Sequence, residues 1–154
     1  MDLSKLLIPG AVRFLGQMPS KKRLFHELGE MAVAAYGVPA AEVIDGLLDR
    51  ESLVSTGVGN GIALPHARLE GIDGIMGLFI RLEKPLDYES VDRLPVDLVF
   101  SLITPKDSGV DHLKALALVS RTMRDHGVCA KLRANTDPGK LYAILTEARA
   151  PKAA

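Results

Sequence analysis

One cysteine, Cys129, is present in the 154-residue chain, so no intrachain disulfide can form and a reducing compartment is the expected setting. Net charge is lacking too, since 19 Lys and Arg balance 19 Asp and Glu. No basic footprint therefore argues for nucleic acid or an anionic membrane surface, although a small anion needs only local positive charge. No apolar stretch approaches the ~20 residues that span a bilayer. The opening Met1-Asp2-Leu3-Ser4-Lys5 lacks the basic region and apolar run of a signal peptide. Together these absences predict a cytoplasmic protein with no membrane insertion and no nucleic-acid partner.

Several catalytic signatures are missing as well. The four histidines (His26, His66, His112 and His126) are dispersed, His-Glu-x-x-His does not occur, and one cysteine cannot build a zinc site. There is no Gly-x-Ser-x-Gly elbow of a serine hydrolase. The glycines at 57, 59 and 61 are followed by no Gly-Lys-Ser/Thr, and they lack the later spacing of a dinucleotide fingerprint. No metal and no cofactor are expected. Cys129, in a short apolar stretch, reads as buried rather than reactive, and His26 and His126 read as structural or solvated.

What is there suits one domain. Apolar residues make up 47% and charged residues 25%, and the length is enough to bury a core. Residues 11–15 form a short apolar run between glycines and predict a first strand. Ser20 caps a helix whose stripe is Leu24, Phe25, Leu28, Met31, Ala32 and Ala35, and Gly37 stops it. Pro39 starts a second helix with Val43, Ile44, Leu47 and Leu48 inward and Arg50-Glu51 near its end. Residues 75–82 and 96–104 are apolar runs of strand length, with Pro85 and residues 87–93 as the loop between them. A long helix follows from about 111 to 124, then a short one around 128–132. A last helix is capped by Asp137, with Pro138 at its first position. The predicted fold is α/β, a three-layer α/β/α arrangement with a central mixed β-sheet flanked by helices. Residues 1–148 form the domain, and residues 149–154 are expected to be a flexible tail.

Chemistry concentrates in Gly59-Asn60-Gly61-Ile62-Ala63-Leu64-Pro65-His66. Closely spaced glycines let backbone N–H groups converge on an anion, so Gly59, Asn60 and Gly61 are candidate phosphate-binding residues. Pro65 fixes its own φ and extends Leu64, delivering His66 from a stiff lead-in. A rigidly held imidazole with one unprotonated nitrogen suits a phosphoryl-accepting nucleophile. On the residues alone, a tight glycine turn followed by a surface histidine accounts for the segment at least as well. Asn60 likewise fits either a phosphate contact or the left-handed conformation of a turn.

The run from Arg50-Glu51-Ser52 through Gly57-Val58-Gly59-Asn60-Gly61-Ile62-Ala63-Leu64-Pro65-His66-Ala67-Arg68 resembles the signature of the fructose/mannitol/nitrogen family of phosphotransferase-system enzyme IIA proteins. Asp111-His112-Leu113 is similar to that family's second histidine segment. The resemblance implies a type-2 EIIA domain over residues 1–148 and a histidine phosphoryl carrier, a phosphotransferase in which His66 accepts phosphate from an HPr-type phosphocarrier. It also implies that Arg50, sixteen residues earlier, lies beside His66, and that His112 contacts the ring or its phosphate. Taken singly, Arg50 also fits an exposed helix end, and His112 a structural histidine. The chain carries no attached IIB segment, which favours the nitrogen-regulatory type, binding regulatory target proteins according to phosphorylation state. The alternative is a sugar-specific enzyme IIA passing phosphate to an enzyme IIB.

The histidine-to-histidine transfer that the resemblance implies can be supported by positioned protein donors, and the chain offers no clustered ligand set. Exhaustive chelation should leave phosphorylation of His66 by a purified, already phosphorylated carrier unchanged. A loss of transfer that added metal restores would contradict this.

Overall fold

The computed structural model describes residues 2–147, so the expected tail at 149–154 lies outside the described residues. Two short 3-10 turns, Leu3–Lys5 and Pro9–Ala11, lead into β1 (Val12–Leu15). Helix α1 (Lys21–Tyr36) begins where the Ser20 hydroxyl accepts the Arg23 N–H, and ends at Gly37 in the left-handed region at φ 72°. Helix α2 (Ala40–Glu51) follows after Pro39. Then come β2 (Gly57–Gly59), β3 (Ile62–Ala63), β4 (His66–Leu69), β5 (Met76–Leu86) and β6 (Val96–Pro105). Helices α3 (Val110–Arg124), α4 (His126–Arg133) and α5 (Pro138–Glu147) complete the described chain. Asp125 and Asp137 each accept backbone N–H groups at the starts of α4 and α5.

The six strands form one mixed sheet in the order β1-β5-β6-β3-β2, with β4 also on β6. Strand β6 is the hub. It pairs antiparallel with β5 on one side, and on the other it pairs parallel first with β3 and then with β4. Its side chains from Leu98 to Thr104 are buried without a break, as a strand covered on both faces requires. Helices α1 and α2 pack on each other and on β5 and β4, while α3 lies against β6 and α5 against β1. This is the expected α/β/α sandwich. Phe25, Phe79, Phe100 and Leu47 are among its fully buried side chains, and the Phe79 and Phe100 rings meet edge-on at 6.1 Å. Among the described residues no helix is long and apolar enough to cross a membrane.

Some boundaries differ from the sequence expectation. Strand β5 runs to Leu86 and includes Pro85; the Arg81/Leu86 register shift shows where the ladder is interrupted, so the proline's missing N–H is tolerated there. The short strands β2, β3 and β4 were not foreseen. They come from one segment broken at Leu64-Pro65: Leu64 donates its N–H to the Thr56 carbonyl, and the Pro65 carbonyl accepts from Leu102. Proline has no N–H for the ladder, so the chain leaves β6 and rejoins it as β4. His126, expected in a turn, is the first residue of α4.

Strand β4 sorts its side chains by parity. Ala67 and Leu69 are buried beneath α2, so close that a Cβ on Gly46 would stand 3.0 Å from each. His66 and Arg68 therefore project from the opposite face. Gly46→Val should force α2 off β4 and lower the unfolding free energy by ~1–3 kcal/mol, read from urea denaturation. An unchanged midpoint would show that the contact opens freely.

Candidate active site

His66 opens β4 half-buried, and its ring is held at both nitrogens. Nδ1 lies 2.8 Å from the Leu64 carbonyl. A carbonyl only accepts, so the proton sits on Nδ1 and Nε2 carries the free lone pair. The Arg50 Nε–H group donates towards Nε2 at 3.3 Å, consistent with that tautomer. Arg50 comes from the last turn of α2, and its Nη1 also donates to the Val54 carbonyl at 2.8 Å. One guanidinium thus bridges the imidazole and the 52–55 turn. Burial pushes the His66 pKa below its ordinary value; the Leu64 bond opposes this, and Arg50 and Arg68 lower it further.

His112 faces His66, with ring centroids 5.8 Å apart and planes tilted by 51°. It is 5% exposed, and its Nδ1 is 2.7 Å from the Thr104 hydroxyl on β6. Burial lowers its pKa, and Arg68 and His66 add to the effect. The Arg50 guanidinium at Nε2 and the His112 ring thus both border the His66 imidazole. The structure brings together the three residues that the family resemblance placed at one site.

The glycine turn is elsewhere. Gly59, Asn60 and Gly61 have φ of 107°, 59° and 80° and form the reversal between β2 and β3. That use of left-handed conformations is what their composition encodes. The Asn60 N–H donates to the Asp92 carboxylate at 2.9 Å, and the Asn60 carbonyl accepts from Arg133, itself forked onto Asp97. The Gly61 carbonyl takes the N–H groups of Asp97 and Leu98, whereas His66 sits opposite Leu102. At ~3.3 Å per residue along β6 this separates the turn from His66 by ~13 Å or more. The turn is thus set apart from His66 along β6, and the Asn60 N–H, one of its donors, is already given to the Asp92 carboxylate.

Sequence reasoning missed the polar knot under Arg50. Glu51 accepts Lys21 Nζ at 3.0 Å and the Thr56 N–H at 2.9 Å, and its other oxygen is met by the Thr56 and Tyr88 hydroxyls. Lys21 also lies 4.5 Å above the Tyr88 ring. Burial alone raises the Glu51 pKa, but the Thr56 bonds and Lys21 outweigh it and hold the carboxyl below its ordinary value. The knot ties the end of α2 to residue 56 and to the β5–β6 loop, fixing both ends of the turn that Arg50 holds. Its members run from Lys21 to Tyr88 along the chain, so spacing carried no signal for it.

The remaining candidates fall away from the site. His26 lies in α1, His126 is exposed, and Cys129 is buried with its thiol directed to the Met123 carbonyl. Among the described residues no group of three or more His, Cys, Asp or Glu side chains is placed to hold a metal ion.

A family model described as "Phosphoenolpyruvate-dependent sugar phosphotransferase system, EIIA 2" matches residues 5–148. The nitrogen regulatory protein of Bradyrhizobium diazoefficiens is 43% identical over 145 residues, covering 94% of this chain and 95% of that one. That of Escherichia coli K12 is 38% identical over 149 residues, covering 96% and 91%. The crystal structure of nitrogen regulatory protein IIA-Ntr from Neisseria meningitidis matches with a TM-score of 0.87 at 31% identity, over 94% of this chain and 99% of that one.

Protonation removes the Nε2 lone pair, so His66 can act only above its folded-state pKa. The midpoint of its ring titration by NMR should lie below the ordinary 6.5. In the unfolded chain both His66 and His112 return to ordinary values and bind more protons, so unfolding free energy should fall as pH drops from ~6.5. A His66 midpoint above 6.5 would contradict the assigned environment.

Proposed function

The chain belongs to the EIIA type-2 family of the phosphoenolpyruvate-dependent sugar phosphotransferase system, whose members are histidine phosphoryl carriers. From that premise we propose that His66 accepts a phosphoryl group on Nε2 from the phosphohistidine of an HPr-type carrier, and that nitrogen-regulatory target proteins bind the two forms unequally. The observation that carries the reading is the Nδ1–H bond to Leu64, which leaves Nε2 unprotonated and aimed towards Arg50.

The lone pair on Nε2 attacks phosphorus, the donor's N–P bond breaks, and its electron pair returns to the donor imidazole. No proton has to leave His66, because Nε2 carries none. The Nδ1–H stays on the Leu64 carbonyl and stabilises the positive character that the phosphorylated ring acquires. Arg50 presents donors to the phosphoryl oxygens as charge moves, and His112 borders the same space. Nε2 is also the atom to which the Arg50 Nε–H now donates, so the incoming group must displace that bond.

The surroundings suit a protein donor. Leu53 and Val54 beside Arg50 are 76% and 62% exposed, and Val110 and Leu113 beside His112 are 64% and 61% exposed. These apolar side chains flank the histidine pair on both sides, and partners that need His66 must cover them. The docking surface that this reading requires is made by residues 52–55 and the start of α3. A phosphoryl group at its centre adds up to two negative charges there, which changes a partner's affinity without refolding the chain. Similarity to nitrogen regulatory proteins over nearly their full lengths supports the regulatory reading.

Incubation with phosphoenolpyruvate, enzyme I and an HPr-type carrier should add one acid-labile phosphoryl group, absent in His66→Ala. Addition to His66→Ala, or none to wild type, would refute the acceptor assignment. Arg50→Ala should slow transfer by about a hundredfold, and Arg50→Lys should recover only part because an ammonium lacks the planar fork. Onward transfer to an enzyme IIB, with equal target binding by both forms, would favour a sugar-specific component instead.

A further inference from the structure

Among the described residues, Arg68 is the one cation acting on both histidines that the transfer chemistry above leaves unused. It follows His66 by two residues on β4 and so shares its face of the strand. Its register partner on β6 is Thr104, the residue whose hydroxyl meets His112. The strand therefore places Arg68 next to His66 along the chain and next to the Thr104–His112 pair across it. Arg68 is exposed, and among the described residues its guanidinium makes no hydrogen bond or salt bridge, its backbone being part of the β4–β6 pairing. Arg50, by contrast, is already committed to Nε2 and to the Val54 carbonyl, and Glu51 is taken by Lys21, Thr56 and Tyr88.

An unpaired guanidinium beside two imidazoles gains nothing in the unphosphorylated protein. It opposes protonation of both rings. The same placement becomes favourable once a dianion arrives between them, because a guanidinium offers five donors in a planar fork suited to phosphoryl oxygens. We propose that Arg68 is a second phosphoryl-binding arginine, which closes on the oxygens of the group transferred to His66 while Arg50 holds them from the α2 side. This rests on the reading of His66 as the acceptor. Arg68 stays protonated throughout. Its part is to stabilise the phosphorylated protein relative to the phosphorylated carrier and to draw the dianion towards Nε2.

The test compares wild type, Arg68→Gln and Arg68→Lys, each mixed with purified phosphorylated HPr-type carrier. Forward rate, the equilibrium division of phosphate between the two proteins, and the titration of the phosphoryl group by phosphorus NMR are read together. Arg68→Gln should slow acceptance and shift the equilibrium towards the carrier by about tenfold, the effect of losing a charge-assisted hydrogen bond. Its bound phosphoryl group should titrate at higher pH than in wild type, because a neighbouring cation no longer favours the dianion. Arg68→Lys should restore the titration and part of the equilibrium. Arg68 is exposed, so the glutamine variant should fold, which its unfolding midpoint and unchanged β4 amide shifts would establish. If Arg68→Gln keeps the wild-type equilibrium and phosphate titration, the proposal is wrong although His66 remains the acceptor. If wild type itself takes no phosphate, the acceptor reading fails and Arg68 loses its role with it.

Discussion

The hydrogen bond from His66 Nδ1 to the carbonyl of Leu64, two residues earlier, is the constraint on which the site depends. It settles the tautomer, and the tautomer settles which nitrogen keeps a free lone pair and where Arg50 donates. A bond so local demands an unusual backbone path. Leu64 is anchored through its N–H to Thr56, Pro65 holds the chain extended without asking the sheet for a partner, and β4 then rejoins β6 with His66 opposite Leu102. The break between β3 and β4 is thus the structural counterpart of the Pro-His sequence. A continuous strand would fill the ladder, but it would not present the Leu64 carbonyl to the imidazole.

Arg50 depends on a second set of interactions, drawn from distant parts of the chain. Its helix is pressed onto β4 at Gly46 and tied down at Glu51 by Lys21, Thr56 and Tyr88. The side chain then reaches a histidine that the strand presents on the face away from α2. Breaking the Glu51 knot would leave a buried carboxylate unpaired, which is costly in its own right. That coupling makes the position of Arg50 a property of the whole α2 layer rather than of one rotamer. On the other face, Thr104 and Arg68 are register partners on neighbouring strands, so the surroundings of His112 are set by the β4–β6 pairing. Helix layer and sheet each supply part of one pocket.

Most of the scaffold was legible because it obeys simple periodicities. The Ser20 cap, the apolar stripe of α1, the Gly37 stop and the buried run of β6 were each readable from the order of residue types, and so was the α/β/α arrangement. The short strands were not, because β2 and β3 are built around glycines and last only two or three residues, too few for alternation to appear. The glycines were ambiguous in chemistry too. On residue types alone the segment fitted a hairpin turn at least as well as an anion cradle, and the contacts of Asn60 with Asp92 and Arg133, far away in sequence, had no local trace. Arg50 and His112 were identifiable through family resemblance alone. Arg68 was within reach of strand parity, had β4 been recognised as a strand, whereas the Lys21–Glu51–Tyr88 contacts have no local trace.

The most direct test of this account is the protonation and phosphorylation site of one ring. Long-range nitrogen–proton correlation NMR on histidine-labelled protein distinguishes Nδ1 from Nε2 before and after reaction with a phosphorylated carrier. The account predicts a His66 ring protonated on Nδ1 in the free protein and bonded to phosphorus at Nε2 afterwards, with Nδ1 still protonated. A free ring protonated on Nε2, or phosphorus found on Nδ1, would contradict it.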